Sequence, residues 1–339
     1  MTETEVFAYE KLDCGVKIWR CYSCDRQVDV PGFLEGQPVV ELADYGFSGH
    51  MEEGWLKEME KAGRLRCGTR EGCQVSLEEI SSGNGGLSAL CGMGVDSVAL
   101  PSSLEKIGKY AFYNCGNLKR LSFYSCLSDL GAGLFTGCHK IGELAVTVIP
   151  EKPSCLREVL LELSEELRVD YREDGVYGRL LFPEFYEEGV ENTPARILMT
   201  QVHGSGLPFR NCFLDTRFQF SWYDRRFDLA RFQEREDFVL EMALNRLLYP
   251  LELEADARKR YEDYVAERLL LAGQWLLRHK GSQELAWFLE REAFCHGVTE
   301  PFLTELLEYA REKRLGETVS YLMDLRHRLF PPKARVFEL

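Results

Sequence analysis

The chain has 339 residues, 45% of them apolar and 28% charged, and a net charge of −14. That length allows about two domains with buried cores, and the composition excludes a disordered chain. The acidic balance argues against a nucleic acid or an anionic membrane surface as the main partner.

The opening "MTETEVFAYEKL" has no basic segment leading into an apolar core, so it does not read as a secretory signal. No stretch approaches 18 uncharged apolar residues, so no membrane span is expected. Even "RLLLAGQWLLRHK" is short and flanked by Arg268 and Arg278. Twelve cysteines without a signal read as reduced thiols, which sets the expected location as cytoplasmic. Most are expected to serve as small core residues.

The first elements are a hairpin from Gly15, the phrase "VDVP", a "GQPV" turn and "ELADYGFSGH", ending at His50. A short helix is expected over 51–63. "QVSLEEI" is read as a divergent strand near Val75 and Leu77.

From Val95 the chain repeats itself. "VDSVALPSSLEKIGKYAFYNCGN" aligns without a gap on "LKRLSFYSCLSDLGAGLFTGCHK", which starts at Leu118. Val98 falls over Leu121, Leu104 over Leu127, Ile107 over Leu130, Gly108 over Gly131, Phe112 over Phe135 and Cys115 over Cys138. A third unit opens at Ile141, again 23 residues on. A short unit of this kind cannot bury its apolar edge alone, so stacking must supply the core. Cys115 and Cys138 are expected to stack as small buried side chains.

"LPSSLEKIGKYAFYNCGNL", Leu100 to Leu118, resembles the BspA-type leucine-rich repeat family, and "FYSCLSDLGAGLFTGCHKI" follows it in looser form. The resemblance extends over roughly residues 15–150 and is specific over 95–146. It implies a solenoid with a short-stranded parallel sheet. It also implies that many relatives are surface or secreted adhesins.

"SCLREVLLELSEELRVDY" reads as a helix capped by Ser154, which would cover the open end of the solenoid. Residues 169–227 read as a mixed connecting region. Helices are expected over 229–248, 254–279, 282–294, 301–313 and 316–329. "LLEYAREKRLGETVSYLMD" resembles one ankyrin-type unit, with Arg314 where that family has glycine. The expected fold class is therefore α+β: a leucine-rich-repeat solenoid with its capping helix over 1–168, the connecting region, and a helical, ankyrin-like or antiparallel, array over 228–339.

Few residues suggest chemistry. Cys21 and Cys24 of "CYSC" have zinc or dithiol spacing, but no second pair completes a site, and structural cysteines are the preferred reading. "HGSG" at His203 is not a nucleophile elbow, and "SSGNGGLSALCGMG" lacks the lysine and spacing of a phosphate loop. Cys295–His296 belongs to no metal motif. No cofactor and no catalytic residue is expected.

A non-enzymatic cytoplasmic protein that binds another protein is the leading expectation. The outward strand positions are Ser97 and Ala99, Arg120, Ser122 and Tyr124, then Glu143 and Ala145. Arginine and tyrosine are common binding anchors, so Arg120, Tyr124 and Glu143 are the candidate contacts. The alternatives are an adhesin exported without a recognisable signal and an enzyme with its site in 170–227. A deep pocket containing His203 and a carboxylate would mark the enzyme.

Overall fold

Short strands with apolar residues at alternate positions bury one face, and the 23-residue period places successive copies side by side. The structure, a computed structural model, describes residues 5–82, 86–192 and 197–331. It divides into two compact units, Met1–Gln233 and Glu234–Leu339.

The first unit contains a six-stranded sheet: β1 (Gln27–Asp29), β2 (Ser97–Ala99), β3 (Arg120–Tyr124), β4 (Glu143–Val148), β5 (Leu167–Glu173) and β6 (Val176–Phe182), in that spatial order. The first five are mutually parallel and β6 is antiparallel to β5. Register follows the repeat: Ser97 faces Arg120, and Arg120 faces Glu143. Val28, Val98, Leu121, Leu144, Val169 and Leu180 form one continuous buried column across all six strands.

The turns after β1, β2 and β3 also contribute to a second sheet. Lys106–Ile107 pairs in parallel with Asp129–Leu130 on one side and with Gln37–Leu42 on the other. That sheet continues through Gly15–Ser23, Val6–Leu12 and Leu65–Gly68. Behind it, Phe47, Phe112 and Phe135 stack with ring centroids 5.2 and 5.6 Å apart. All three are buried, and stacked aromatic pairs add to the stabilisation from burial.

The glycines at Gly108 and Gly131 follow from this close stacking. A Cβ on Gly108 would lie 2.3 Å from the Asp44 amide nitrogen, and one on Gly131 would lie 2.3 Å from that of Lys109. Each turn thus touches the backbone of the one before it, and only a residue without a side chain fits.

Between β1 and β2 the chain makes an excursion. Glu53–Lys61 and Leu77–Ser81 are helices, with Leu65–Gly68 between them. Leu56, Met59, Leu65, Cys67, Leu77 and Ile80 form a small core with Val6, Ala8 and Tyr22 of the hairpin. The strand expected near Val75 and Leu77 is instead a helix start. Ser76 accepts a hydrogen bond from the Glu79 amide, and the Glu79 carboxylate accepts one from the Ser76 amide. This reciprocal capping box satisfies amides that a helix start leaves open.

The expected capping helix also needs correction. Leu156–Glu162 is helical, but it does not close the ladder. The chain goes on into β5, which adds a further parallel strand with Arg168 facing Glu143. Helix capping begins at Cys155, although the Ser154 hydroxyl does accept from the Leu156 amide at 3.3 Å. β6 ends the sheet, and Tyr223 covers its edge at Leu181. The Tyr223 hydroxyl donates to the Leu181 carbonyl at 2.7 Å and accepts from its amide at 3.0 Å. A sheet edge needs such cover to prevent further pairing.

The rest of this unit holds the hairpin Tyr186–Asn192/Ile197–His203 and several short elements. Phe209, Phe218, Phe220 and Tyr223 pack edge-on around Phe182 and Tyr171. Arg210 is fully buried and gathers carbonyls from three segments. It donates to Leu160 and Leu163 at 3.0 Å each, to Glu165 at 2.6 Å and to Pro183. Its charge sits at the carbonyl end of the Leu156–Glu162 helix, which favours a cation. Burial still pulls its pKa down to about 10.

The second unit is helical: Glu236–Leu248, Ala255–Ala266, Leu269–His279, Ser282–Glu290, Glu292–Cys295, Glu300–Glu312 and Gly316–Leu329. Two helices expected to be continuous are broken at arginines. Arg268 takes φ −126° and ψ 33°, and its side chain binds Glu236 and Glu267 at 2.9 Å each. Arg291 is extended and binds Glu262 at 2.6 Å. The helix expected over 229–248 is likewise split, between Phe227–Gln233 and Glu236–Leu248.

Candidate functional site

The outward face of the parallel sheet is organised in columns, because residues in register lie side by side. One column runs Gln27, Ser97, Arg120, Glu143, Arg168. The next runs Asp29, Ala99, Ser122, Ala145, Asp170, and a third runs Tyr124, Thr147, Arg172. The middle column is small from Ala99 to Ala145 and is flanked by longer side chains. A groove of about 450 Å³ results. Its floor includes Ala99, Ser122 and Ala145, and Pro101, Tyr124 and Thr147 line it as well. Arg70, Arg120 and Arg172 also line it.

Arg120 is held by two carboxylates: Glu143 at 2.9 Å and Asp170 at 3.7 Å. Asp170 also accepts from Arg179 Nε at 2.7 Å and from the Tyr177 hydroxyl at 2.6 Å. Burial alone would raise the Asp170 carboxyl, but hydrogen bonds from Arg179 and Tyr177 and the charges of Arg179 and Arg120 hold it below its ordinary range. Burial, then the bond to Asp170, pushes the Tyr177 phenol up. Asp170 thereby fixes the guanidinium of Arg179 and biases that of Arg120.

Of the residues singled out from the sequence, Arg120 and Tyr124 line the groove, and Glu143 stands beside it as the exposed ion-pair partner of Arg120. Ala145 lies in the outward column, as expected, and lines the groove, but it is largely covered between Ser122 and Asp170. Arg70 and Arg172 were not legible from the repeat. Arg70 comes from the excursion before β2 and binds Glu5 at 2.8 Å and the Asp29 carbonyl. Arg172 lies on β5, where Glu143 faces Arg168 and the 23-residue spacing has ended.

The cysteine candidates separate. Cys21 lies within the strand Gly15–Ser23 and is buried, and its thiol is pushed up by that burial. Cys24 lies beyond the strand end and is exposed. Among the described residues no group of three His, Cys, Asp or Glu side chains is placed to hold a metal ion. In the repeat, the Cys115 thiol donates to the Phe47 carbonyl at 3.1 Å and the Cys138 thiol to that of Phe112 at 2.9 Å. Each thiol ties its turn to the preceding one. The neighbouring Cys138 thiol, and then burial, push the Cys115 thiol up.

His203 has a carboxylate within reach, Glu188 at 3.2 Å, and stacks on Tyr186 at 4.6 Å. The pair lies on the exposed hairpin. A cleft of about 600 Å³ in the first unit is lined instead by 148–154, Leu156, Tyr171, Glu173, Asp174 and Thr216–Phe218. In the glycine-rich segment 81–94, residues 83–85 lie outside the described residues. Cys91 to Gly94 there form a tight turn whose Gly92 amide donates to Phe47 at 2.8 Å. Cys295 is exposed, and its thiol donates to the Glu292 carbonyl at 3.3 Å. Among the described residues no helix is long and apolar enough to cross a membrane.

A family model agrees with the repeat. Residues 86–153 match the family model for the BspA type leucine rich repeat region (6 copies). A leucine-rich repeat protein of T. pallidum, known from a crystal structure, is 18% identical with a TM-score of 0.28, over 50% of this chain and 62% of that one. No curated protein matches the chain. Residues 86–153 are thus BspA-type leucine-rich repeats, and the strand Gln27–Asp29 and Phe47 stack on them from outside the matched segment.

Proposed function

We propose that this chain is a non-enzymatic protein-binding module that uses the outward face of its parallel sheet. The observation that carries this reading is the groove: a row of small residues between longer ones, with Ala99 and Ser122 half-exposed, on the sheet that the repeat builds. Leucine-rich repeats speak for protein–protein interaction or adhesion and are generally not enzymes. Stacked repeats form a solenoid with an extended binding surface. The helical unit would add a second, ankyrin-like surface. The reduced cysteines favour a cytoplasmic scaffold over an exported adhesin.

A photo-crosslinking residue at Ser122 in the full chain, with one at the exposed Lys109 as control, tests the reading. Capture of one partner from Ser122 and not from Lys109 is expected. Combined charge reversal, Arg120→Glu with Glu143→Arg, should weaken that partner by about tenfold. Equal capture from both positions, or unchanged affinity in the reversed variant, would remove the sheet face as the binding surface.

A further inference from the structure

The hairpin Tyr186–Asn192/Ile197–His203 is a sheet of two strands, and among the described residues no further strand pairs with either of its outer edges. Successive side chains of a strand point to opposite faces, and an antiparallel sheet in a folded protein commonly packs one of them on a core. Here neither face is covered. Glu187, Glu188 and Gly189 are all exposed on one strand, and Thr200, Gln201 and Val202 are all exposed on the other. Tyr186 is 58% exposed and Val202 44%. A lone two-stranded hairpin is marginally stable in water, so added strands would stabilise this one.

The two edges differ in chemistry. Tyr186–Asn192 has the sequence "YEEGVEN", whose three glutamates guard its edge against another strand of an acidic chain. Ile197–His203 has the sequence "ILMTQVH", with no Asp, Glu, Lys, Arg, Gly or Pro. Its β-branched Ile197, Thr200 and Val202 suit a strand. One edge is thus guarded, and the other is a template for pairing.

The open edge is also complementary to itself. Paired antiparallel with its own copy about Thr200, all seven positions find a partner: 197 with 203, 198 with 202, 199 with 201, and Thr200 with Thr200 of the partner subunit. Thr–Thr pairs directly opposite are favourable, and no like charges meet. The same operation on "YEEGVEN" sets Glu187 against Glu191, which is unfavourable.

We propose that two copies of this chain join through Ile197–His203, antiparallel and centred on Thr200, into one four-stranded sheet. The glutamate strands then form both outer edges, so the assembly closes as a two-fold dimer and does not grow into a filament. None of these residues lines the groove, so the two surfaces are separate.

Sedimentation velocity of the full chain over a concentration series tests the proposal. A monomer–dimer equilibrium is expected. Each copy carries a net charge of −14, so repulsion opposes association, and added salt should strengthen the dimer. Thr200→Lys and Thr200→Glu each set like charges opposite one another at the two-fold axis, and each should weaken the dimer about fivefold or more. Mixed in equal amounts, the two variants should restore association, because lysine then faces glutamate. Position 200 is exposed, and circular dichroism checks that both variants fold. A chain that stays monomeric, a dimer that weakens with salt, a dimer indifferent to both variants, or a mixture that associates no better than either variant alone overturns the proposal.

Discussion

The repeat ladder and the helical unit are both built from short apolar elements, but they are specified differently. In the ladder, one period places every residue twice over: by strand register and by column. Phe112 touches Phe47 and Phe135 because all three occupy one position of the turn. In the helical unit no residue inherits its neighbours from a period. Leu269–His279 approaches Glu300–Glu312 because Gly273 leaves room for Leu306, 3.0 Å from where a Cβ would stand. A ladder can therefore be read from a sequence, whereas a helical array must be solved pair by pair.

The comparison is most directly broken at Phe112. Phe112→Ala removes the middle ring of a buried stack and should cost about 3–5 kcal/mol in urea unfolding. The loss should also appear as faster amide exchange in both adjacent turns. A cost below about 1 kcal/mol would mean that the turns do not share one core.

Asp170→Asn comes next, at about 2–3 kcal/mol, because it strips charge-assisted hydrogen bonds from Arg179. The pH dependence gives the sign. The folded carboxyl titrates below its unfolded value, so its contribution is complete above the unfolded range near ~3.9 and is lost as pH falls through the folded value. The gap between wild type and Asp170→Asn should close in acid. A gap that is constant down to strongly acidic pH would show that the charge of Asp170 does not act on stability.

Gly131→Ala tests how closely the turns are stacked. Its Cβ would meet the backbone of Lys109 and Gly108, and overpacking against backbone should cost about 1–3 kcal/mol. Gly175→Ala, at a turn open to solvent but with φ 78°, serves as a control for backbone strain without a clash. Equal losses at the two glycines would count against close stacking. The smallest effect lies in the helical unit. Arg314 links its last two helices with φ 58°, a left-handed conformation that favours glycine. Arg314→Gly should stabilise by about 1 kcal/mol in thermal unfolding. A loss instead would show that the arginine side chain contributes more than its backbone costs.

Legibility followed the same division. The 23-residue alignment of Val98 on Leu121 and Phe112 on Phe135 anticipated β2, β3 and β4, their register and the aromatic stack. It could not anticipate β5, because the helix Leu156–Glu162 lengthens that turn and hides Arg168 and Arg172 from the period. The capping box at Ser76 is present in "SLEE", but Val75 and Leu77 around it also match the alternation of a strand. The helix breaks at Arg268 and Arg291 carried no glycine or proline. They are stabilised by glutamates 32 and 29 positions away, which no local signal reveals.

The candidate site divides along the same line. Periodicity alone placed Arg120, Ser122 and Tyr124 on one exposed face, because a strand alternates and a repeat stacks like on like. Only the tertiary structure decided that Arg70 from the excursion and Arg172 from the irregular turn meet on that face. It also decided that Glu143 and Asp170 pair with Arg120. The reason is physical. Column positions are a local property of the chain, whereas convergence of side chains from unlike segments depends on every fold decision between them.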